Sequence, residues 1–354
     1  MKLPTYRRKI QLSALLFALA AITVLSSAGI SAQDATPNSN QIDLSGATVI
    51  SLSDATTIQG DGASLDGSDV VISASGAYVF SGTLPDGMVR VTAPGASVDL
   101  VLDGATISNS DGPAIHLQDA AAVTIWLAGG STNVITDGGV AEQDAALYGD
   151  VSFTIRGDGD LNVNATYEGI SSTEHIVIES GTIRVHAVED GLNANQDGVS
   201  EINISGGLLF VETETGDGID SNGSITITGG TVITQGAMVD ANSGLDADGP
   251  VLIDGGTVIA TGAMMSPPDA NSAQGIIFAN FGETQMAGTV VVVRNGDTDL
   301  LTFAPSIGFN ALYYSAPEIV AGVTYDIYLG GTGQGEAVDG IFADGNSDPG
   351  MLAT

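Results

Sequence analysis

Apolar and polar residues alternate in short bursts along most of this chain, and the bursts are most regular between Glu168 and Gly262. Each burst holds two or three inward-type residues, as in Ile202-Asn-Ile-Ser-Gly-Gly207, Ile225-Thr-Ile-Thr-Gly-Gly230 and Val251-Leu-Ile-Asp-Gly-Gly256. A period of two marks a strand with one buried face, and the glycines mark the turn that ends it. A second short strand follows each turn: Leu208-Leu-Phe-Val211, Thr231-Val-Ile-Thr234 and Thr257-Val-Ile-Ala260. Before each pair stands a polar turn: Asp190-Gly-Leu-Asn-Ala-Asn195, Asp217-Gly-Ile-Asp-Ser-Asn222 and Ser243-Gly-Leu-Asp-Ala-Asp248. A weaker copy runs through Gly169-Ile170, Ile176-Val-Ile178 and Gly181-Thr-Ile183. The apolar residues Ile170, Leu192, Ile219 and Leu245 therefore recur at steps of 22, 27 and 26 residues.

Repeats of this length made only of strand and turn predict a solenoid, with each repeat forming one coil. Strands of successive coils then pair in parallel, and like positions stack about 4.7–4.9 Å apart. Three polar columns follow: Asp190/Asp217, Asn193/Asp220/Asp246 and Asn195/Asn222/Asp248. Calcium takes oxygen ligands at about 2.3–2.6 Å, so an ion between two coils reaches carboxylates on both. Stacked Asn can bond along a ladder, whereas stacked Asp repels without a cation or a proton. Ser243 leaves the first column incomplete.

The flanking segments extend the all-β reading. Residues 1–32 have a basic start, an apolar run from Ile10 to Ile30 and small residues at Ser31-Ala32, the pattern of a secretory signal. Cleavage is expected after Ala32 or Ala28, with an uncleaved membrane anchor as the alternative. Residues 33–41 form a polar leader, and 42–104 supply the first coils and an N-terminal β cap. The β-helix core spans 105–262. The longer strands of 263–330 form a C-terminal β cap, and 331–354, rich in Gly and Asp, is expected to be disordered. No sustained helical period occurs after residue 32.

Charge narrows the function. The chain holds 8 basic and 42 acidic residues. Four of the basic residues lie within the first nine positions, leaving Arg90, Arg156, Arg184 and Arg294 against every carboxylate. Such a surface does not attract nucleic acid or an anionic membrane. Asp outnumbers Glu by 31 to 11, which suits turns and hard-cation loops. With no cysteine, stability outside the cell cannot come from disulfides, and bound ions could substitute.

Several runs together resemble the bacterial secreted carbohydrate-binding β-helix family. They are Gly76-Ala-Tyr-Val-Phe-Ser-Gly-Thr-Leu-Pro-Asp-Gly87, Leu100-Val-Leu-Asp-Gly-Ala-Thr-Ile-Ser-Asn-Ser-Asp-Gly112, the Asp-Gly-Ile-Asp-Ser-Asn-Gly repeats and Gly322-Val-Thr-Tyr-Asp-Ile-Tyr-Leu-Gly-Gly331. The resemblance covers residues 42–331. It implies a right-handed parallel β-helix similar in shape to pectate lyases. It also implies bound calcium and binding of cellulose or polygalacturonate. Asp190, Asn193, Asn195, Asp217, Asp220, Asn222, Asp246 and Asp248 match the family's motif and are its implied metal ligands. Glu168-Gly-Ile-Ser-Ser-Thr173 departs from it, with Ser and Thr in place of the acidic pair, and is expected to be a poorer site.

The expected function is that of a secreted, monomeric, calcium-dependent protein binding an extracellular polysaccharide, with no membrane insertion once the signal is removed. Calcium would reconcile an acidic protein with an acidic glycan by bridging carboxylates. Trp126, Tyr148 and Tyr167 are the aromatic candidates for sugar contact. The enzymatic alternative is a calcium-dependent uronate lyase, which needs a base beside the cation. Arg184 and His186, on one face of Thr182-Ile-Arg-Val-His186, are the candidates, although Arg184 is expected to pair with a nearby acid. A structural or adhesive surface solenoid is the third possibility. The residues favour a binding protein over an enzyme.

Overall fold

The structure is a computed structural model, which describes residues 42–138, 143–266 and 269–353. The expected signal and leader, 1–41, lie outside the described residues. The described chain contains no helix and winds into a β-solenoid of about eight turns, as the repeat pattern predicts.

Each complete coil lays down three strands. One such coil is Leu192–Ala194, Glu201–Ile204 and Leu208–Thr213, and the next is Ile219–Ser221, Ser224–Ile227 and Thr231–Gln235. Equivalent strands pair in parallel, so three ladders form, named here the first, second and third sheets in coil order. Nine strands make the first sheet. The hairpin of Ala63–Asp66 with Asp69–Ile72 closes one of its edges, and Thr48–Leu52 with Thr57–Gln59 forms a second N-terminal hairpin. In the earliest turns Gly76–Leu84 and Ser97–Asn109 each serve the second and third sheets as one continuous strand.

The interior is a set of apolar columns. Ile170, Leu192, Ile219 and Leu245 stack on the first sheet as their spacing predicts, and all are buried. Ile155, Ile178, Ile204, Ile227 and Ile253 do the same on the second. Asn133 interrupts the third-sheet column Ala105–Asn133–Leu161 and is fully buried. It stays there because every polar atom is paired. Its Oδ1 accepts from the backbone N–H groups of Gly104 and Ala105, and its Nδ2 donates to Asp160 O and Ser131 Oγ.

The Gly of the Asp-Gly-Leu turn has a packing cause. A Cβ on Gly169, Gly191 or Gly218 would collide with Val185, Val211 or Thr234 of the third sheet. The chain passes so close to that sheet because it turns there directly into the first. At the opposite corner the second glycine of each Gly-Gly pair (Gly207, Gly230, Gly256) sits at φ near +80°, a conformation other residues enter at a cost.

The C-terminal part is the expected β-strand cap and extends beyond it. Phe309–Ser315 and then Ile276–Gln285 extend the third sheet antiparallel past the last coil. A separate six-stranded antiparallel sheet then covers the flank of the solenoid, not only its end. Its Val291, Val293, Leu301 and Phe303 bury Phe210, Ile233 and Ile259, which point outward from the third sheet. Residues 331–354, expected to be disordered, contribute the strands Ala337–Val338, Ile341–Phe342 and Asn346–Leu352 to this sheet. Backbone pairing with Asp326–Gly333 replaces the missing apolar burial. The tail's glycines allow that approach, since a Cβ on Gly333 would enter the Phe342 ring. Gln235 Oε1 accepts from Ser306 N at 2.8 Å and fixes the connecting loop.

Two substitutions test this packing. Asn133→Ala strands the buried Ala105 N–H and the part-buried Gly104 N–H, and loss of a buried partner costs about 1–3 kcal/mol; denaturant titration is expected to show a drop of about 1–3 kcal/mol. Gly191→Ala overpacks against Val211 and is expected to cost about 1–3 kcal/mol or more, whereas Gly104→Ala, whose added methyl would meet no neighbour, loses only what its positive φ imposes. Equal behaviour of the two glycine variants would contradict the close-approach explanation.

Candidate functional site

The outward positions of the first sheet form one row along the solenoid axis. Register places Arg90, His116, Tyr148, Ser171, Asn193, Asp220 and Asp246 side by side, one per coil. At the turn entering the sheet lies a second column, Glu168, Asp190, Asp217 and Ser243, two residues before the stacked Ile170, Leu192, Ile219 and Leu245. The inward half of each strand anchors in the core, which fixes the outward half in register.

The three predicted columns behave differently. Asp190 Oδ1 accepts from Asp217 N at 2.7 Å, and Asp217 Oδ1 accepts from Ser243 N. This clamp joins one coil to the next, and Ser243 ends the column because no further first-sheet coil follows it. In the outer column Asn222 Nδ2 donates to Asn195 O and to Asp197 Oδ1, both at 3.0 Å, so amide bonding holds Asn195 and Asn222. Asp248 lies at the same corner. The middle column stacks Asp220 directly beside Asp246, with Asn193 on its other side.

Electrostatics sets these carboxylates apart from the rest of the acidic surface. Burial pushes Asp190 up to about 8, Asp220 to about 7 and Asp217 to about 6, with neighbouring carboxylates adding to the rise. Asp246 is also raised, chiefly by burial and then by Asp248. For Asp220 the adding charges are Asp217, Asp246 and Asp248. Asp190, Asp217 and Asp220 are partly buried while Asp246 stays exposed, and among the described residues no cationic side chain pairs with them.

Glu168, which the repeat comparison passed over as part of a weaker coil, belongs to the same cluster. Burial raises it to about 7. Asn193 Nδ2 donates to Glu168 Oε1 at 2.6 Å and more distantly to Asp190 Oδ2. That leaves Asn193 Oδ1 buried with no hydrogen-bond partner and Glu168 Oε2 with none of good geometry, although the nearby Ser171 hydroxyl holds the Glu168 value down against burial. Its alignment with Asp190 and Asp217 was the available signal. Asp144 was also missed, being in a longer coil; it too is raised by burial.

Buried oxygens without donors suit a hard cation. Among the described residues no three carboxylate or imidazole groups converge as a ready cage. Two stacked carboxylates supplemented by Asn193 Oδ1, hydroxyl and backbone oxygens would be the available ligand set, which calcium accepts with six to eight oxygens.

The aromatic candidates separate. Tyr148 shares the first-sheet row and packs edge-on against His116, whose Nε2 lies 2.7 Å from Asp150 Oδ2. Tyr167, two-fifths exposed, bonds Glu189 at the neighbouring corner, and that bond pushes its hydroxyl up to about 12. Trp126 sits on the second sheet, where the Arg156 guanidinium covers its ring at 4.8 Å and its Nε1 donates to Asp99 Oδ1. The structure does not bring Trp126 to the acidic row. Nor does it bring the candidate bases there. Arg184 and His186 lie on the third sheet, and Arg184 forms a two-pronged pair with Asp339 at 2.8 and 3.0 Å.

Comparison with known proteins follows this geometry. The family described as carbohydrate-binding domain-containing protein matches residues 66–305. A protein of that description from Acetivibrio thermocellus is 38% identical over 138 residues, 36% of this chain and 48% of the relative. The match thus spans about half the length of that relative. A solved polysaccharide lyase-like protein from C. thermocellum, a gadolinium derivative, aligns with a TM-score of 0.47 and 29% identity, covering 64% of this chain and 97% of that one.

The raised carboxylates give a pH signature. A carboxyl whose folded value lies above its unfolded one favours folding at low pH and loses that contribution as pH rises through the folded value. With the acids at about 6 to 8, the chelated protein is expected to lose melting temperature between about pH 4 and pH 8. A flat profile in scanning calorimetry would contradict the burial assigned to these acids.

Proposed function

The chain belongs to the carbohydrate-binding domain-containing protein family, and from that premise we propose a secreted, calcium-dependent polysaccharide-binding protein. Its glycan would be an acidic plant-type polymer such as polygalacturonate, or cellulose. The observation that carries this reading is the stacked carboxylate cluster of the first sheet, partly buried at Asp190, Asp217 and Asp220 and fully so at Glu168, with Asn193 Oδ1 buried and without a partner.

A cation would draw on Asp190, Asp217, Asp220 and Asp246, with Asn193 as a neutral oxygen donor. When bound it supplies positive charge where the described residues place none and inverts the local sign. Asp217 and Asp190 also hold backbone N–H groups of the next coil, so their positions are fixed before any ion arrives. Asn195, Asn222 and Asp248 would border this site as its outer rim. The row continues through Ser171, Tyr148 and His116, but these are buried, so a glycan would meet the acidic end of the row. Successive sugars would meet successive coils, because the coil step is about 4.8 Å. Tyr167 stands at the edge of this track. Secretion rests on the N-terminal apolar run and its small residues.

The test is mobility of the mature chain in a polygalacturonate gel with calcium and with a chelator. Retardation only with calcium is expected. Asp220→Ala with Asp246→Ala should weaken calcium binding about tenfold or more, since ligand charge sets calcium affinity. For the natural protein, calcium at about a hundred times its Kd should add about 2.7 kcal/mol of stability at neutral pH. Unchanged calcium affinity in the double variant would sink the metal assignment.

A further inference from the structure

The solenoid and the C-terminal sheet each leave one strand edge open beside the same groove. Ile276–Gln285 pairs with Phe309–Ser315 on one side, and among the described residues no strand pairs with its other edge. Asn346–Leu352 is the edge of the C-terminal sheet and pairs only with Asp326–Gly333. Both strands line one groove of about 890 Å³. Consecutive residues do so, from Phe278 to Glu283 and again at Met351 and Leu352. The face of a strand would contribute only every second residue, so the groove runs along the edges.

Sheet edges are ordinarily guarded by charge, proline or cover. The straight part of the solenoid edge, Ile276-Ile-Phe-Ala-Asn280, has neither charge nor proline, and its bulge begins only after Asn280. The facing strand carries Asp348 and Pro349 but ends on Met351 and Leu352, 79% and 51% exposed. Ring contacts hold the apolar lining in place, with Phe278 edge-on against Tyr313 and Phe281 against Phe309. The rim is acidic. Glu283 and Asp326 are exposed there, and among the described residues no cationic side chain lines the groove.

We propose that this groove takes an extended segment of a partner protein, which adds as a strand and alternates apolar with basic side chains. Backbone pairing along Ile276–Asn280 supplies the affinity, and alternate side chains supply the selectivity. The apolar ones meet Phe278, Phe281 and Leu352, and the basic ones meet Glu283 and Asp326. Charge complementarity chooses this occupant over a second copy of the chain. Two copies, each at a formal net charge of −34, repel, and neither brings a free arginine, since all four beyond residue 9 are paired. The groove does not use the acidic row of the first sheet, so the inference stands apart from the calcium reading.

The experiment uses the natural protein and two labelled eight-residue peptides of equal charge. One alternates lysine with valine; the other alternates lysine with proline, which lacks backbone donors that a strand needs. Fluorescence anisotropy is expected to show saturable binding of the valine peptide and binding about tenfold weaker or less for the proline peptide, the loss of two ordinary hydrogen bonds. On binding, amide hydrogen exchange should slow in Ile276–Asn280 and Asn346–Leu352 and be unchanged on the first sheet. Glu283→Gln with Asp326→Asn removes two exposed charges and should weaken the valine peptide about threefold to tenfold. Glu212→Gln with Glu214→Gln, an equal loss of charge outside this groove, should leave its affinity unchanged. No binding of the valine peptide at millimolar concentration, equal binding of the two peptides, equal effects of the two double variants, or unslowed exchange at the two edges would each overturn the proposal. Exchange that slows at the same amides in the protein alone, as its concentration rises, would make a second copy the occupant and overturn it too.

Discussion

Parallel stacking of like strands at one spacing governs this molecule. Once the coils pair in register, every residue meets its own counterpart about 4.8 Å above and below. Apolar counterparts gain by this, and Ile170, Leu192, Ile219 and Leu245 become a continuous column. Carboxyl counterparts lose by it, because like charges at that distance repel and burial deepens the cost. The core and the candidate site are thus two consequences of one constraint. The same register that makes the interior stable forces Asp220 against Asp246 on the outside.

The chain eases that repulsion in some columns and leaves it in others. Asp190 and Asp217 spend one oxygen each on the next coil's backbone N–H. Asn222 replaces an acid in the outer column and bonds to Asn195 O and Asp197. Asn193 places its Nδ2 between Glu168 and Asp190. Each device lowers the cost for one carboxylate, yet among the described residues the cluster holds no cationic partner. The four basic side chains beyond residue 9 lie elsewhere: Arg90 with Asp66, Arg156 with Glu179, Arg184 with Asp339 and Arg294 with Asp299. The uncompensated charge is concentrated where the repeats are most regular.

What could be read from the sequence follows from the same constraint. Periodic features were legible: the strand bursts, the inward column, the Gly-Gly corners and the stacked Asp and Asn. Each depends only on a residue and its copy one repeat away. Glu168 was harder to see because its coil lacks the acidic pair that defines the motif, although it occupies the same place as Asp190 and Asp217. The C-terminal sheet was harder still. Its strands pair antiparallel, as Val291–Asn295 does with Asp326–Gly333, and its Asp339 reaches back to Arg184 of the solenoid; no repeat announces such contacts. Residues 331–354 looked unstructured because they bury little, but backbone pairing and close glycine packing need no apolar pattern.

The flanking sheet also decides which faces can meet a polymer. It covers Phe210, Ile233 and Ile259 on the third sheet, so an outward apolar stripe that would otherwise invite association is sealed. It occupies Arg184 through Asp339, taking from the third sheet the cation that an anionic sugar would seek. What remains beyond its edge is the mixed polar row of Thr136, Asn164 and His186 with Glu212. Among the described residues no such sheet covers the acidic row of the first sheet, whose carboxylates run from buried Glu168 through partly buried Asp190, Asp217 and Asp220 to exposed Asp246. A regular solenoid would present three similar faces. Here one added sheet, docked on one flank, makes the faces chemically unequal.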